Sequence, residues 1–357
     1  MREHARLAGA GSGDHEQRPL GVQDGLPLRG IQAREVLLRR CDGHAADASG
    51  DSGLSFRRVI REAVPADYAA AFRVVSEVIP EFVQTEAGFR HRQEVLPPEA
   101  RRRAWVAEED GELVGWGRAF VRYEESGGSG QVGISVLPSR RERGIGSALL
   151  EQALEHLADA PRVYTVARAE GRSFAEQRGF RLTHTGLISA VDPRTVDTTE
   201  LDRATVELRT LAEVGPEEVF AVDSVAALDV PADEPPDRME FERWRQTTWE
   251  SPDFDFEASY AACVGGRAVA ISYTALDLPR ARAANAFTGV LPELRGRGLA
   301  RLVKLAVIRH LAAAGVLFLV TENDRTNAPM LAVNTRLGFQ PHGAHYNYVR
   351  EPDALRG

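Results

Sequence analysis

Arg141-Glu142-Arg143-Gly144-Ile145-Gly146 returns 154 residues later as Arg295-Gly296-Arg297-Gly298-Leu299-Ala300. Each copy follows a β-rich run that ends in Val-Leu-Pro, at Val136 and at Val290, and each opens a segment with helical apolar spacing. The physics of such a strand, loop and helix is specific. Small residues let the backbone approach an anion closely. Free amides at a helix N-terminus, with its partial positive charge, bind phosphate oxygens. The loop arginines raise the local potential. Neither loop is a P-loop, because no Gly-Lys-Ser/Thr follows, and neither completes a dinucleotide fingerprint, because Leu149 and Val303 stand where the third glycine belongs. One loop of this kind is also what any tight strand-to-helix turn requires. Two in the same context point to anion binding.

Working outward, the order of elements repeats as well. Around the first loop, strands are predicted at 56–62, 104–108, 113–121, 131–137, 163–167 and 181–190, and helices at 66–79, 147–158 and 173–178. Asp110-Gly111 between two β-rich runs is a hairpin signal. Around the second loop, strands are predicted at 204–211, 260–264, 268–275, 284–291, 316–321 and 342–349, and helices at 216–227, 242–248, 300–314 and 328–337. Gly179-Phe180 returns as Gly338-Phe339. Two tandem copies of one mixed α/β fold, 56–195 and 203–357, account for this, with the boundary in the polar stretch 191–202. The first 55 residues hold nine glycines and none of the chain's aromatic residues, which predicts a disordered tail or, alternatively, a regulatory arm.

Composition narrows the class further. A formal net charge of −8 over 357 residues weighs against a nucleic-acid partner. Only one of the 44 basic residues, Lys304, is a lysine, a bias that reads as a GC-rich genome. Two distant cysteines, Cys41 and Cys263, exclude a disulfide framework and a four-cysteine zinc site. The longest apolar run, 311–320, is too short to span a bilayer. The N-terminus has no apolar h-region. The expectation is a reducing, cytoplasmic protein with neither a membrane nor a nucleic-acid partner, and the sequence leaves its oligomeric state open.

The Arg-x-x-Gly-x-Gly/Ala loop, the Val-x-Pro strand end before it and the Gly-Phe after it together resemble the GCN5-related N-acetyltransferase (GNAT) superfamily, as a tandem over about residues 56–350. The run 323–339 resembles the C-terminal half of mycothiol-synthase-like tandem acetyltransferases. The resemblance implies acetyl-CoA as donor, and the spacing of His342 and His345 assigns no metal. It implies that the pyrophosphate sits on the loop amides of Arg143, Gly144, Ile145, Gly146 and Ser147, and of Arg297, Gly298, Leu299, Ala300 and Arg301, with Arg141 and Arg295 alongside. The pantetheine arm would pair along the strand ends at Val136 and Val290. Asn327 would contact the cofactor, whereas the first copy has Arg168 there and a shorter segment before its last helix. The second copy therefore ranks as the catalyst, and the first as a structural or degenerate partner. The implied activity is acetyl transfer to a small-molecule amine. Two alternatives stand beside it: a mycothiol-synthase-type reaction on a cysteinyl pseudo-disaccharide, and a non-catalytic acyl-CoA sensor.

The catalytic side chains depart from the family pattern. The tyrosine that often protonates the departing thiolate is replaced by Ala175 and Asn334, and the run 284–290 lacks the usual strand glutamate. Glu322, expected just past a strand end, is the candidate general base, against the plain reading of a solvated carboxylate. Tyr346, which shares a strand face with Tyr348, is the candidate acid, against the reading of a core or rim tyrosine. His342 and His345 lack a metal-ligand spacing, and Cys263 reads as core. Asp229, Asp233, Glu234 and Asp237 form an acidic loop that favours a cationic acceptor or is simply solvated.

Overall fold

In the first half of the chain, β1 (Arg58–Glu62), α1 (Tyr68–Val78), α2 (Glu86–Glu94), β2 (Arg103–Glu109), β3 (Glu112–Val121), β4 (Gly130–Val136), α3 (Ile145–His156), β5 (Val163–Ala167), α4 (Arg172–Glu176) and β6 (Arg181–Val191) follow one another. The second half continues with β7 (Glu207–Thr210), α5 (Leu211–Val214), α6 (Pro216–Ala226), α7 (Phe241–Trp244), β8 (Tyr260–Val264), β9 (Arg267–Asp277), β10 (Arg282–Val290), α8 (Leu299–Ala313), β11 (Phe318–Asp324), α9 (Ala328–Arg336) and β12 (Gln340–Arg350). This computed structural model describes residues 58–123, 127–231 and 239–351. The proposed tail 1–55, Cys41, Phe56, Asp233, Glu234 and Asp237 lie outside the described residues.

Local chemistry accounts for most of these elements. Asp110 and Gly111 carry φ of 53° and 84°, the two left-handed positions a tight hairpin needs to turn β2 into β3. Thr210 caps α5 and Glu213 returns the bond, so β7 ends at Thr210, short of the strand expected to residue 211. Helix α2 has no apolar stripe to announce it. It is started by Thr85, whose side chain accepts from the Gly88 amide at 2.9 Å, and anchored by Phe89 in a ring cluster with Tyr68, Phe72 and Trp116. Strand β11 runs on to Asp324, so Glu322 lies inside it and not just past its end.

All the strands join one 12-stranded sheet in the order β1-β2-β3-β4-β5-β12-β6-β11-β10-β9-β8-β7. The central strands are exchanged. β12, the last strand of the chain, lies between β5 and β6 of the first half. β6, the last strand of the first half, lies between β12 and β11 of the second. Each half thus completes the other's sheet, and the sheet does not divide at residues 195–203. Tyr348 shows the consequence. It is fully buried in the first half's core, beside Ile145 and Leu149 of α3, and its hydroxyl donates to Glu176 at 2.8 Å. On the opposite face, the Thr85 amide and hydroxyl both donate to buried Asp253, at 2.6 and 2.8 Å.

Unpaired central strands expose hydrogen-bonding edges and apolar faces. Residues 58–195 and 203–351, expressed separately, are each expected to be insoluble or unfolded, and to form a stable folded complex when co-expressed. Circular dichroism and size-exclusion chromatography check this. Two independently folded halves would contradict the exchange.

Candidate active site

Two parallel strands that separate create the site. β10 pairs with β11 only from Arg282 to Asn285, opposite Phe318 to Thr321. Beyond that point β10 follows β9 to Val290 and β11 follows β6 to Asp324. A bulge between Asn285 and Phe287 sits where the strands part. β4 and β5 repeat the design, paired only at Gly130–Val163 and Gln131–Tyr164. Inside each wedge the facing strand edges are not paired to one another, so an extended chain carrying amides, such as a pantetheine arm, can add to them.

The glycine loops close the wedges at one end. Gly144 and Gly298 are the N-cap residues of α3 and α8, with φ of 81° and 79° and no side-chain cap. A side chain is strained at such φ. The first amides of each helix, at Ile145, Gly146 and Ser147 and at Leu299, Ala300 and Arg301, therefore have no capping side chain. The first arginine of each motif has a structural task. Arg141 Nε donates to the Val136 carbonyl at 3.2 Å and Arg295 Nε to the Val290 carbonyl at 3.1 Å, tying each loop to its strand end.

The two cradles nonetheless differ. In the first, buried Glu109 draws in Arg58, Arg140 and Arg143 at 2.9, 3.9 and 3.6 Å. Arg58 also donates to the Arg143 carbonyl at 2.7 Å, and Arg178 to the Ser147 hydroxyl at 2.6 Å. A 340 Å³ cavity at this wedge is lined by Glu77, Glu81 and Glu170 as well as Arg141 and Arg168, and Arg168 is paired with Glu81. Three carboxylates oppose a polyanion there, which corrects the expectation that these arginines simply raise the potential. In the second cradle, a Cβ built on Gly296 or Gly298 meets nothing within 4 Å. A 470 Å³ cavity beside the first turn of α8 gathers Arg203, Arg301 and Arg336 together with Asp197 and Glu200, and Arg301 is held on Glu200. Asp229 of the acidic loop pairs with Arg295 at 2.6 Å.

Glu322 is half exposed, one residue beyond the Asn285–Thr321 parting, and its Oε2 lies 2.9 Å from His345 Nδ1. Tyr346 is not brought to it. Strand alternation turns Tyr346 to the face opposite His345, where it packs against the first half's core with the Arg172 guanidinium 4.4 Å above its ring. The exchange of β12, unreadable in the sequence, moves it there. Asn327 caps α9, its Oδ1 accepting from the Met330 amide at 3.2 Å. Asn334, in the place of the family tyrosine, is buried and donates to Asn323 Oδ1 at 2.6 Å. Cys263 is a free, buried thiol.

Sequence reasoning gave Lys304 no site role. Its amine is buried beneath the wedge, bonded to Asn285 Oδ1 and 5.3 Å from the Phe339 ring. Asn285 Nδ2 donates to Ser272 Oγ at 2.7 Å, Thr288 Oγ1 donates to Asn285 Oδ1 at 3.1 Å, and Thr321 Oγ1 donates to the Asn285 carbonyl at 3.3 Å. Burial lowers the Lys304 pKa to about 7. The first copy has Leu150 and Ile134 at the places of Lys304 and Thr288. The solitary lysine was the available signal. A buried carboxyl of the second half, Asp223 on α6, is raised to about 6 by desolvation beside Tyr273 and Trp244.

Residues 68–180 match the model of the acetyltransferase (GNAT) family. The match falls within the first half of the chain. The chain is 28% identical over 255 residues to a mycothiol acetyltransferase of Amycolatopsis mediterranei, covering 69% of this chain and 83% of that one. Its fold matches a tandem GNAT protein from the clavulanic acid biosynthesis pathway with a TM-score of 0.64, at 21% identity over 83% of this chain and 99% of that one. It matches a GNAT protein of Sphaerobacter thermophilus with a TM-score of 0.61, at 21% identity over 83% and 96%. The chain is thus an acetyltransferase that takes its acetyl group from acetyl-CoA, on a fold it shares with a tandem GNAT protein. Among the described residues no cluster of three metal-ligating side chains occurs, and no helix is long and apolar enough to cross a membrane.

Gly298→Glu adds bulk, negative charge and a strained φ that alone costs ~1–3 kcal/mol. It is expected to weaken acetyl-CoA binding at least about tenfold by calorimetry, whereas Gly144→Glu has a smaller effect. Equal losses from two folded variants would contradict the asymmetry of the cradles.

Lys304 holds its proton less tightly in the folded state, at about 7, than unfolded, at 10.5. The cost of burying the ammonium is present in full below pH 7 and fades as pH rises to 10.5, so this group makes stability increase across that window. Lys304→Met should remove that part of the rise, measured by denaturant midpoints below and inside the window. An unchanged slope would mean that the folded lysine titrates normally.

Proposed function

We propose that the second half catalyses transfer of the acetyl group from acetyl-CoA to the amine of a small molecule, with Glu322 as general base. The observation that carries this reading is the contrast between the cradles: the loop glycines of α8 face open space, with Arg295 and Arg301 held at the flanks by Asp229 and Glu200, while the loop of α3 is engaged directly by Glu109, Arg58 and Arg178. The loop amides of Gly298 to Arg301 would hold the pyrophosphate, and the free edge of β10 up to Val290 would align the pantetheine arm. Glu322 faces away from α8 at the mouth of the same wedge, partly exposed and able to meet an incoming ammonium. It takes the ammonium proton, and the neutral nitrogen attacks the thioester carbonyl carbon. The C–S bond then breaks, the nitrogen gives up its second proton to water, and the thiolate of coenzyme A leaves and takes a proton from water, since Ala175 and Asn334 offer no acid. The first half serves as the partner that completes the sheet.

The mycothiol acetyltransferase relatives favour a second reading of the acceptor, as the substrate those enzymes use. A reducing, cytoplasmic setting belongs to the same proposal.

Thiol release from acetyl-CoA, followed over a panel of amines with a mycothiol precursor included, tests the activity. Tight binding without turnover on any amine would favour a sensor. On the best amine, Glu322→Gln is expected to lower kcat about 100-fold or more, to leave KM for acetyl-CoA nearly unchanged, and to abolish the acidic limb of the pH–rate profile. An intact limb would move the base elsewhere, with Asp223 and Asp229 the next acids to test.

A further inference from the structure

His345 and Glu322 are not on neighbouring strands. Glu322 is on β11, opposite Ile188 of β6, and His345 is on β12, opposite Gly186 of β6. For Nδ1 to come within 2.9 Å of Glu322 Oε2, the imidazole must lie across β6. Gly186 makes that possible. A Cβ built there would stand 2.3 Å from the ring at both Cε1 and Nε2, and the atoms it meets are all of His345. Its backbone is ordinary strand, with no left-handed φ to require glycine. The glycine therefore serves the ring that crosses it. The pair has one dry and one wet end, with side-chain exposures of 12% for His345 and 56% for Glu322.

We propose that His345, laid across Gly186, is the positioning residue that fixes the Glu322 carboxylate at the wedge mouth, leaving Oε1 to receive the acceptor's proton. This inference rests on the reading of Glu322 as base. The strand exchange gives it its form: Glu322 and His345 come from the second half, while the gap between them is provided by a strand of the first. A carboxylate on a flexible stem samples many rotamers, and a largely buried ring nitrogen 2.9 Å from it narrows them toward a single reactive geometry. The titratable and charged groups around the pair are Asp324 on the same face of β11, His184 on the same face of β6, and His342 and Arg168 toward the other end of β12.

The geometry yields a cycle that separates positioning from general stability. Gly186→Ala replaces neither member of the pair, yet its methyl displaces the ring. His345→Ala removes the ring and leaves room for that methyl. In the full chain, with acetyl-CoA and the best amine of the panel, each single variant is expected to lower kcat about tenfold with KM for acetyl-CoA held. The double variant is expected to be no worse than His345→Ala alone, and His345→Gln, which keeps a donor, to recover part of the rate. Melting temperatures confirm that each variant is folded. Wild-type kcat in Gly186→Ala or His345→Ala, or a double variant slowed by the product of the two single effects, would overturn the proposal. If Glu322→Gln abolishes the acidic limb while the His345 and Gly186 variants keep full rate, the base stands and only this inference fails. If Glu322→Gln leaves the limb intact, the reading of the base itself fails.

Discussion

The antiparallel pairing of β6 with β12 is the constraint on which the remaining geometry depends. These strands cross over at the centre of the sheet, and what each half uses is partly made by the other. Tyr348, near the end of the chain, fills the core beneath α3. Without it that core would have a hole the size of a tyrosine, and Glu176 would lose the hydroxyl that bonds it. β11 carries Glu322 and is held on its outer edge by β6, a strand that precedes it by more than a hundred residues. The wedge itself follows from this. β11 is pulled toward β6 while β10 is held by β9, and the two part once their short parallel run ends at Asn285.

The repeat, the loops and most of the elements were legible because they rest on local signals. Those signals are glycines at left-handed positions, Pro at helix starts, apolar periodicity, and a motif recurring at a fixed offset. Helix α2 was not legible, since its stability comes from the packing of Phe89 and a threonine cap and not from a periodic stripe. The exchange was invisible for a deeper reason. β6 and β12 alternate as any strand does, and alternation does not say which neighbours a strand chooses. That one omission misplaced Tyr346. Its strand face was read correctly, but the face belongs to the first half, under Arg172. Glu322 stands out in the sequence by its expected place at a strand end, whereas His345 does not stand out as its neighbour, because the two meet only through the absence of a side chain at Gly186.

The two copies carry the same loop geometry, down to the guanidinium that ties each loop to its strand end, and they differ in where charge goes. The first turns its arginines onto one buried carboxylate, which satisfies that carboxylate and stiffens the loop. The second leaves its loop glycines open and concentrates polarity beneath the wedge, in Ser272, Asn285, Thr288 and Lys304. An aliphatic side chain at position 304 would avoid the desolvation that lowers the lysine, as Leu150 does in the first copy. A buried amine is destabilising at neutral pH, so its presence under only one wedge argues that this wedge answers to a demand other than folding.

The same argument applies to the seam. A glycine in the middle of a paired strand weakens it relative to a residue with a side chain. Gly186 lies near the centre of the sheet, where a β-branched residue would add packing on both sides. Its cost is offset by the one interaction it permits, the reach of His345 to Glu322. Lys304 beneath the wedge and Gly186 beside it are thus two positions where the second half departs from its most stable alternative. They flank the parting of β10 and β11 on opposite faces of the sheet, one set against α8 and the other opening toward the acceptor side. On the proposed reading, the transferred acetyl group would meet a fixed floor on the face of α8 and the Glu322 carboxylate on the other, and the strand exchange brings the two faces to the same point.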